Sequence, residues 1–324
     1  MHVAWRAAMV VPVLVLSACA GGTSTREQSA GTPSDSASTS GPSSTTATAA
    51  PPSTTPTARA DDLARLAASA QAAVSSLPTS NPTSDPTAST ATGATIEGAD
   101  VSWPQCPKGM GIPERRTLGS PMPLDSARFV LFGLTNGPGN TSNPCLADQV
   151  AWARARHLAV AAYSVISWPS ADQLRTHGSP AKAGYAQAMA NIATLKAAGL
   201  TTPSIWLDVE PVPDFDWPSG AGALAKNAAV VRAAAQAYAD QGFQVGVYST
   251  TALWRRVVGD LSLGLREWRA AGHTSRAEAL VRCGPERSIQ GGTAVLTQWV
   301  EAGRDRNVTC PGEAASVALW FHQY

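Results

Sequence analysis

A chain of 324 residues that is 44% hydrophobic is long enough to bury a substantial core, and its formal net charge of +1 excludes a polybasic nucleic-acid binder. From residue 95 onward, 20 Lys and Arg stand against 18 Asp and Glu, so that balance also holds in the part able to fold. Beyond the N-terminal leader, no stretch is long and apolar enough to cross a bilayer.

The chain opens with an export signal. One firm positive charge, Arg6, precedes the apolar run Ala7 to Leu16, which at ten residues is too short for a permanent span. Leu16-Ser17-Ala18-Cys19 follows at once. It resembles the lipobox of bacterial lipoproteins. That resemblance implies a signal peptide over residues 1–18, a lipid on Cys19 and anchoring to the outer face of the cell membrane. The alternative is a plain secretory signal cut near Ala18.

Residues 19–94 are mostly Ser, Thr, Ala, Pro and Gly and hold no aromatic side chain, so they read as a disordered stalk. Leu63, Leu66, Ala70 and Val74 recur near helical spacing within 58–77, but so Ala-rich a helix is marginal alone.

With Cys19 assigned to the lipid, Cys106, Cys145, Cys283 and Cys310 remain, and four cysteines in an exported chain suggest two disulfides. Of three connectivities, Cys106–Cys145 with Cys283–Cys310 closes the shortest loops and is the one expected. No CxxC or HExxH spacing points to a metal, and no cofactor is implied.

Residues 95–324 contain nine of the ten Trp and every Tyr and Phe, which suits one barrel-sized α/β domain. Strand and helix signals alternate: strands at 96–102, 129–134, 158–166, 204–210 and 244–249, and helices at 146–156, 181–198, 223–241 and 250–258. Continuous apolar runs such as Phe129-Val130-Leu131-Phe132 are what a parallel sheet covered on both faces looks like. Past residue 258 the alternation fades. Strands are expected at 265–270 and 294–300, a short helix at 275–282, and an eighth strand at 317–322. The expected fold is therefore a single, irregular TIM-like barrel of five β/α units and then three strands; an open doubly wound sheet is the alternative, though no GxGxxG fingerprint supports it.

The organising stretch is Ile205-Trp206-Leu207-Asp208-Val209-Glu210-Pro211. Side chains alternate faces along a strand, so Trp206, Asp208 and Glu210 share one side, with i and i+2 roughly 6.6 Å apart. Pro211 stops ladder pairing, which leaves the two acids at the C-terminal end of the strand, where parallel α/β folds bind ligands.

Asp100-Val101-Ser102, Leu207-Asp208-Val209-Glu210, Gly246-Val247-Tyr248-Ser249 and Gln298-Trp299, with Asp305 and Asn307 after them, resemble glycoside hydrolase family 25, the bacterial and phage muramidases. The segments Asp100 to Cys106, Asn143 to Leu146 and Trp206 to Glu210 are closer still to an actinobacterial set of exported proteins with such a domain. The resemblance implies an irregular barrel and a peptidoglycan substrate. It also implies Glu210 as general acid and base, Asp208 and Asp100 flanking it, and Asp305 as a further acid. The walls depart from the family pattern. Trp103-Pro104-Gln105 stands in place of Trp-Gln-Gly, Leu134-Thr135-Asn136 brings neither the Lys nor the Glu of the second strand, and Ser164 follows Tyr163 where the family has His.

Glycoside hydrolysis needs a protonated carboxyl for the leaving oxygen and a second negative group for the oxocarbenium-like transition state. Asp100, Asp208 and Glu210 meet that need from two strand ends. Trp217, in the loop after the fourth strand, is the expected sugar platform, with Trp103 and Tyr248 also near the mouth. The partner expected is peptidoglycan or another cell-wall polysaccharide. Two other readings remain open: a silent glycan-binding lipoprotein, favoured by the altered walls, and a glycosidase for another polysaccharide. The oligomeric state is not legible.

Overall fold

Eight strands close on themselves in the computed structural model, which describes residues 93–324 except 138 and 212–215. The signal, Cys19, the stalk up to residue 92 and the weak helix at 58–77 lie outside the described residues. In chain order the strands are β1 (Glu97–Val101), β2 (Phe129–Gly133), β3 (Ala159–Val165), β4 (Ser204–Asp208), β5 (Gln244–Ser249), β6 (Arg266–His273), β7 (Ala294–Glu301) and β8 (Arg304–Thr309). Neighbours from β1 to β7 pair in parallel in sequence order. The hairpin strand β8 then runs antiparallel to both β7 and β1 and closes the ring.

Five connections carry α-helices. They are α1 (Leu146–Arg154), the pair α2 (Ala171–His177) and α3 (Pro180–Ala197), α4 (Ala221–Asp240), α5 (Thr251–Val258) and α6 (Arg276–Val281). Ser170, Ser179, Thr250 and Ser275 cap α2, α3, α5 and α6 by accepting a backbone N–H in the first turn. The connection from β1 to β2 holds a short 3₁₀ turn at Trp103–Gln105 and a two-stranded hairpin instead. The result is the irregular α/β barrel expected from the sequence.

Register sorts the side chains. The paired sets Leu131–Ala161, Tyr163–Trp206–Gly246 and Tyr248–Trp268–Leu296 point inward, and the alternate residues pack under the helices. Trp206 fills the barrel axis over Gly246, where a Cβ would collide with the indole. It forms the floor of the interior, beneath the acids on its own strand.

The expected eighth strand at 317–322 is corrected. Val317–Trp320 forms a short helix, α7, and only His322–Gln323 adds a bridge outside the ring, on β3. The segment is a plug: Trp320 packs on Trp206 with ring centroids 4.6 Å apart, and Phe321 on Phe129 at 4.8 Å. Ser204 Oγ secures it by donating to the Trp320 carbonyl at 2.6 Å.

Around β6 and β7 the outer layer has only the short α6, and a buried ion pair braces the loop that follows it. Glu267 is fully buried and Arg269 is 3% exposed, and Arg269 Nε donates to Glu267 Oε2 at 2.7 Å. The carboxylate accepts backbone N–H groups of Ile289, Gln290 and Gly292, while the guanidinium donates to the carbonyls of Arg282, Gly284 and Gly292. One pair of charges thus satisfies six backbone groups in a loop with no ladder of its own.

Candidate active site

The register carries one layer of polar side chains to the C-terminal mouth. Asp100 leaves β1, Asp208 leaves β4, and Glu210 continues the same face two residues beyond the last paired position, Asp208. Val209 N–H still bonds the Tyr248 carbonyl at 3.1 Å, so the chain stays extended long enough to aim Glu210. Asp305 enters from β8. These four carboxyls line one cavity of about 600 Å³, together with Tyr163, Tyr248, Trp268 and Gln298.

Asp100 is held by two amides. Gln298 Nε2 donates to its Oδ1 at 2.9 Å and Asn307 Nδ2 at 2.6 Å. Each amide is oriented in turn: the Tyr248 hydroxyl donates to Gln298 Oε1 at 2.7 Å, and Trp268 Nε1 donates to Asn307 Oδ1 at 2.7 Å. Asp208 contrasts with this, because its Oδ1 is buried with no hydrogen-bond partner among the described residues.

Burial dominates the electrostatics. It pushes Asp100 up to about 8, helped by the charge of Asp305 and opposed by the two amides. Asp208 is raised well above the usual carboxylate range by burial, then by Glu210 and Asp100. Glu210 is pushed up to about 7 by burial. Asp305 is raised by burial and drawn back by His273. The cluster therefore holds protons at neutral pH that ordinary carboxyls would have lost.

Of the aromatic residues singled out in the sequence, Tyr248 lines the cavity, as does Tyr163, whose phenol is raised well above its usual value by burial and by Asp100. Gly133, on the strand beside it, has no room for a Cβ because Ser102 Cβ and the end of the Tyr163 side chain occupy that space. Trp217 is corrected. Only 8% exposed, it packs in the layer between barrel and helices, outside the cavity lining, and its Nε1 donates to the Glu210 carbonyl at 3.1 Å. It holds Glu210's backbone rather than presenting a face to a sugar. Trp103 also lies outside the lining, half-buried in the 3₁₀ turn with the Arg115 guanidinium 5.8 Å from its ring.

Both expected disulfides are present, Cys106–Cys145 and Cys283–Cys310. The first ties the turn after β1 to the start of α1. Asn143 fastens the same corner, donating to the Gly133 carbonyl at 2.9 Å and to Gln149 Oε1 at 2.8 Å.

A family model described as Lysozyme-like protein 1 matches residues 141–275. A comparison with curated proteins found no match. Among solved structures, the chain is similar to a bacterial lysozyme from Streptomyces coelicolor at 16% identity, with 69% of this chain and 96% of that one covered and a TM-score of 0.47. It is similar to a family GH25 lysozyme from Aspergillus fumigatus at 18% identity, covering 70% and 99% with a TM-score of 0.47. A family 25 glycosyl hydrolase from Bacillus anthracis aligns at 15% identity over 69% and 92%, with a TM-score of 0.46.

Proposed function

We propose that the protein is a glycosidase acting on the glycan strands of peptidoglycan, with Glu210 as general acid and then general base. The observation that carries this reading is the carboxyl cluster at the barrel mouth, in which burial holds the Glu210 carboxyl near pH 7. A carboxyl of that pKa is substantially protonated at neutral pH and can donate to a departing glycosidic oxygen, then recover the proton from water.

Asp208 and Asp100 stand where opposing charge is needed, and each supplies it once it has given up the proton that burial holds on it at neutral pH. Their negative charge is disfavoured by burial and by neighbouring acids, Asp305 for Asp100, and Glu210 and Asp100 for Asp208. A sugar ring that gains positive character between them removes that penalty, so their stabilisation grows toward the transition state. The unpartnered Oδ1 of Asp208 is free to accept a hydrogen bond from the amide N–H of an N-acetylated sugar, a group peptidoglycan repeats along its strand. Gln298 and Asn307 keep Asp100 oriented.

The substrate side rests on the family-25 resemblance and on the lysozyme-like match, and the test is direct. Purified protein incubated with peptidoglycan should release new reducing ends. Binding without release would favour the silent glycan-binding reading, and release only from a different polysaccharide would move the substrate.

The cell-surface location belongs to the same reading. Lipid on Cys19 would hold the barrel at the outer face of the cell membrane, with residues 19–94 as the stalk between membrane and domain. Native protein should partition into detergent, and Cys19→Ala should move to the medium or stay unprocessed. Full membrane retention of Cys19→Ala would count against the anchor.

A further inference from the structure

Arg282 is the only basic side chain among the described residues lining the cavity that holds the four carboxyls. Its Nε is buried without a hydrogen-bond partner, and it enters none of the ion pairs among the described residues. A role as counter-ion to the acids does not account for it. The charge that draws Asp305 back down is that of His273.

The backbone beneath this side chain is fixed from three directions. Arg282 N–H donates to the Ala279 carbonyl at 2.9 Å at the end of α6. Its own carbonyl accepts from Arg269 Nη1 at 2.7 Å, and Arg269 is locked to buried Glu267. The next residue, Cys283, is bonded to Cys310. Ala270, Ala271 and Gly272 line the wall with it and bring little side-chain bulk. A guanidinium with a fixed root, beside small neighbours and without an internal partner, is preorganised for a planar anion.

We propose that Arg282 binds a carboxylate carried by the glycan, so that the cavity selects an acidic sugar whose carboxylate is free rather than amidated or joined to a peptide. The inference deepens the glycosidase reading and rests on it for the cavity being the glycan site. Such a carboxylate comes either from a lactyl ether on an N-acetylated hexosamine or from a uronic acid.

Titration calorimetry on the full chain carrying Glu210→Gln, which should bind without turnover, separates these cases. Three oligosaccharides of matched length serve as probes: one with free lactyl carboxylates, the same one amidated, and one containing uronate. A free-carboxylate probe should bind about 10- to 100-fold more tightly than the amidated one, the usual worth of a charge-assisted hydrogen bond. The better of the lactyl and uronate probes identifies the source. Adding Arg282→Gln should abolish the preference while leaving affinity for the amidated probe unchanged, and Arg282→Lys should retain part of it.

Equal binding of free and amidated probes, binding of none of the three, or an equal loss for all probes in Arg282→Gln would overturn the proposal. Arg282-dependent binding in a protein that releases no reducing ends from any glycan would remove the glycosidase reading and leave the anion site standing.

Discussion

Nε2 of Gln298 donates to Oδ1 of Asp100 at 2.9 Å, reaching from the seventh strand to the first past the strand between them. Gln298 is itself held by the Tyr248 hydroxyl, so a phenol on β5 sets the position of an acid on β1. Gln298→Leu keeps most of the volume and removes both bonds. If cleavage depends on an oriented Asp100, kcat should fall roughly 10- to 100-fold with KM little changed, since a hydrogen bond to a charged group is worth about 1.5–3 kcal/mol. The pH–rate profile should also move, because one of the two amides that restrain Asp100's pKa is gone. Unchanged kinetics across pH would mean that the network serves packing alone.

Asp100 should make the fold less stable as pH rises. Its carboxyl binds a proton more tightly when folded, with a pKa of about 8 against about 3.9 unfolded. Between those values the folded chain holds more protons than the unfolded one, so stability falls across that window and is complete only below about pH 4. Asp100→Asn removes the ionisation. Calorimetric melting should show it ahead of the native protein at pH 8.5, by about 2–4 °C for each kcal/mol relieved. The gain should be absent at pH 4, and an equal gain at both pH values would show that charge is not the cause.

Glu267→Gln tests the ion pair that braces the loop after α6. It leaves Arg269 buried without a counter-charge, and breaking such a pair costs about 3–5 kcal/mol. The melting temperature should drop by roughly 10 °C. A change smaller than about 1 °C would mean that the backbone bonds of Arg269 suffice.

Trp320→Ala should destabilise the chain by about 3–5 kcal/mol, the range for emptying a large aromatic site. KM should not change, because the plug lies beneath Trp206 while the carboxyls lie above it. A raised KM with unchanged melting would place Trp320's influence in the site rather than the floor.

Alternation along a strand was enough to place Asp208 and Glu210 on Trp206's face, because the run from Ile205 to Glu210 is apolar apart from its two acids. Strand β8 gave no such signal. Its inner face carries Asp305 and Asn307, its outer face pairs Arg306 with Glu97 and Glu301, and no apolar period survives in Arg304-Asp305-Arg306-Asn307. The apolar residues near 317–322 attracted the strand assignment instead, although their burial comes from plugging the barrel floor. Gln298 stood out only within the family-like Gln298-Trp299, and its bond to Asp100 depends on ring closure between strands 198 residues apart in sequence. Trp217 shows the opposite limit: a Trp in a loop after a strand of acids reads as a platform, and only packing shows that it faces the helices.

The most direct measurement compares native protein with Glu210→Gln for release of reducing ends from peptidoglycan across pH. The amide keeps the shape and the hydrogen-bonding capacity of the carboxyl but has no proton to give. Cleavage by the native protein should decline on the alkaline side near pH 7, as Glu210 ionises. Glu210→Gln should cut at least about 10²-fold more slowly while still binding the glycan. Cleavage by Glu210→Gln at the native rate would contradict the account and shift the search for the acid to Asp100 and Asp305.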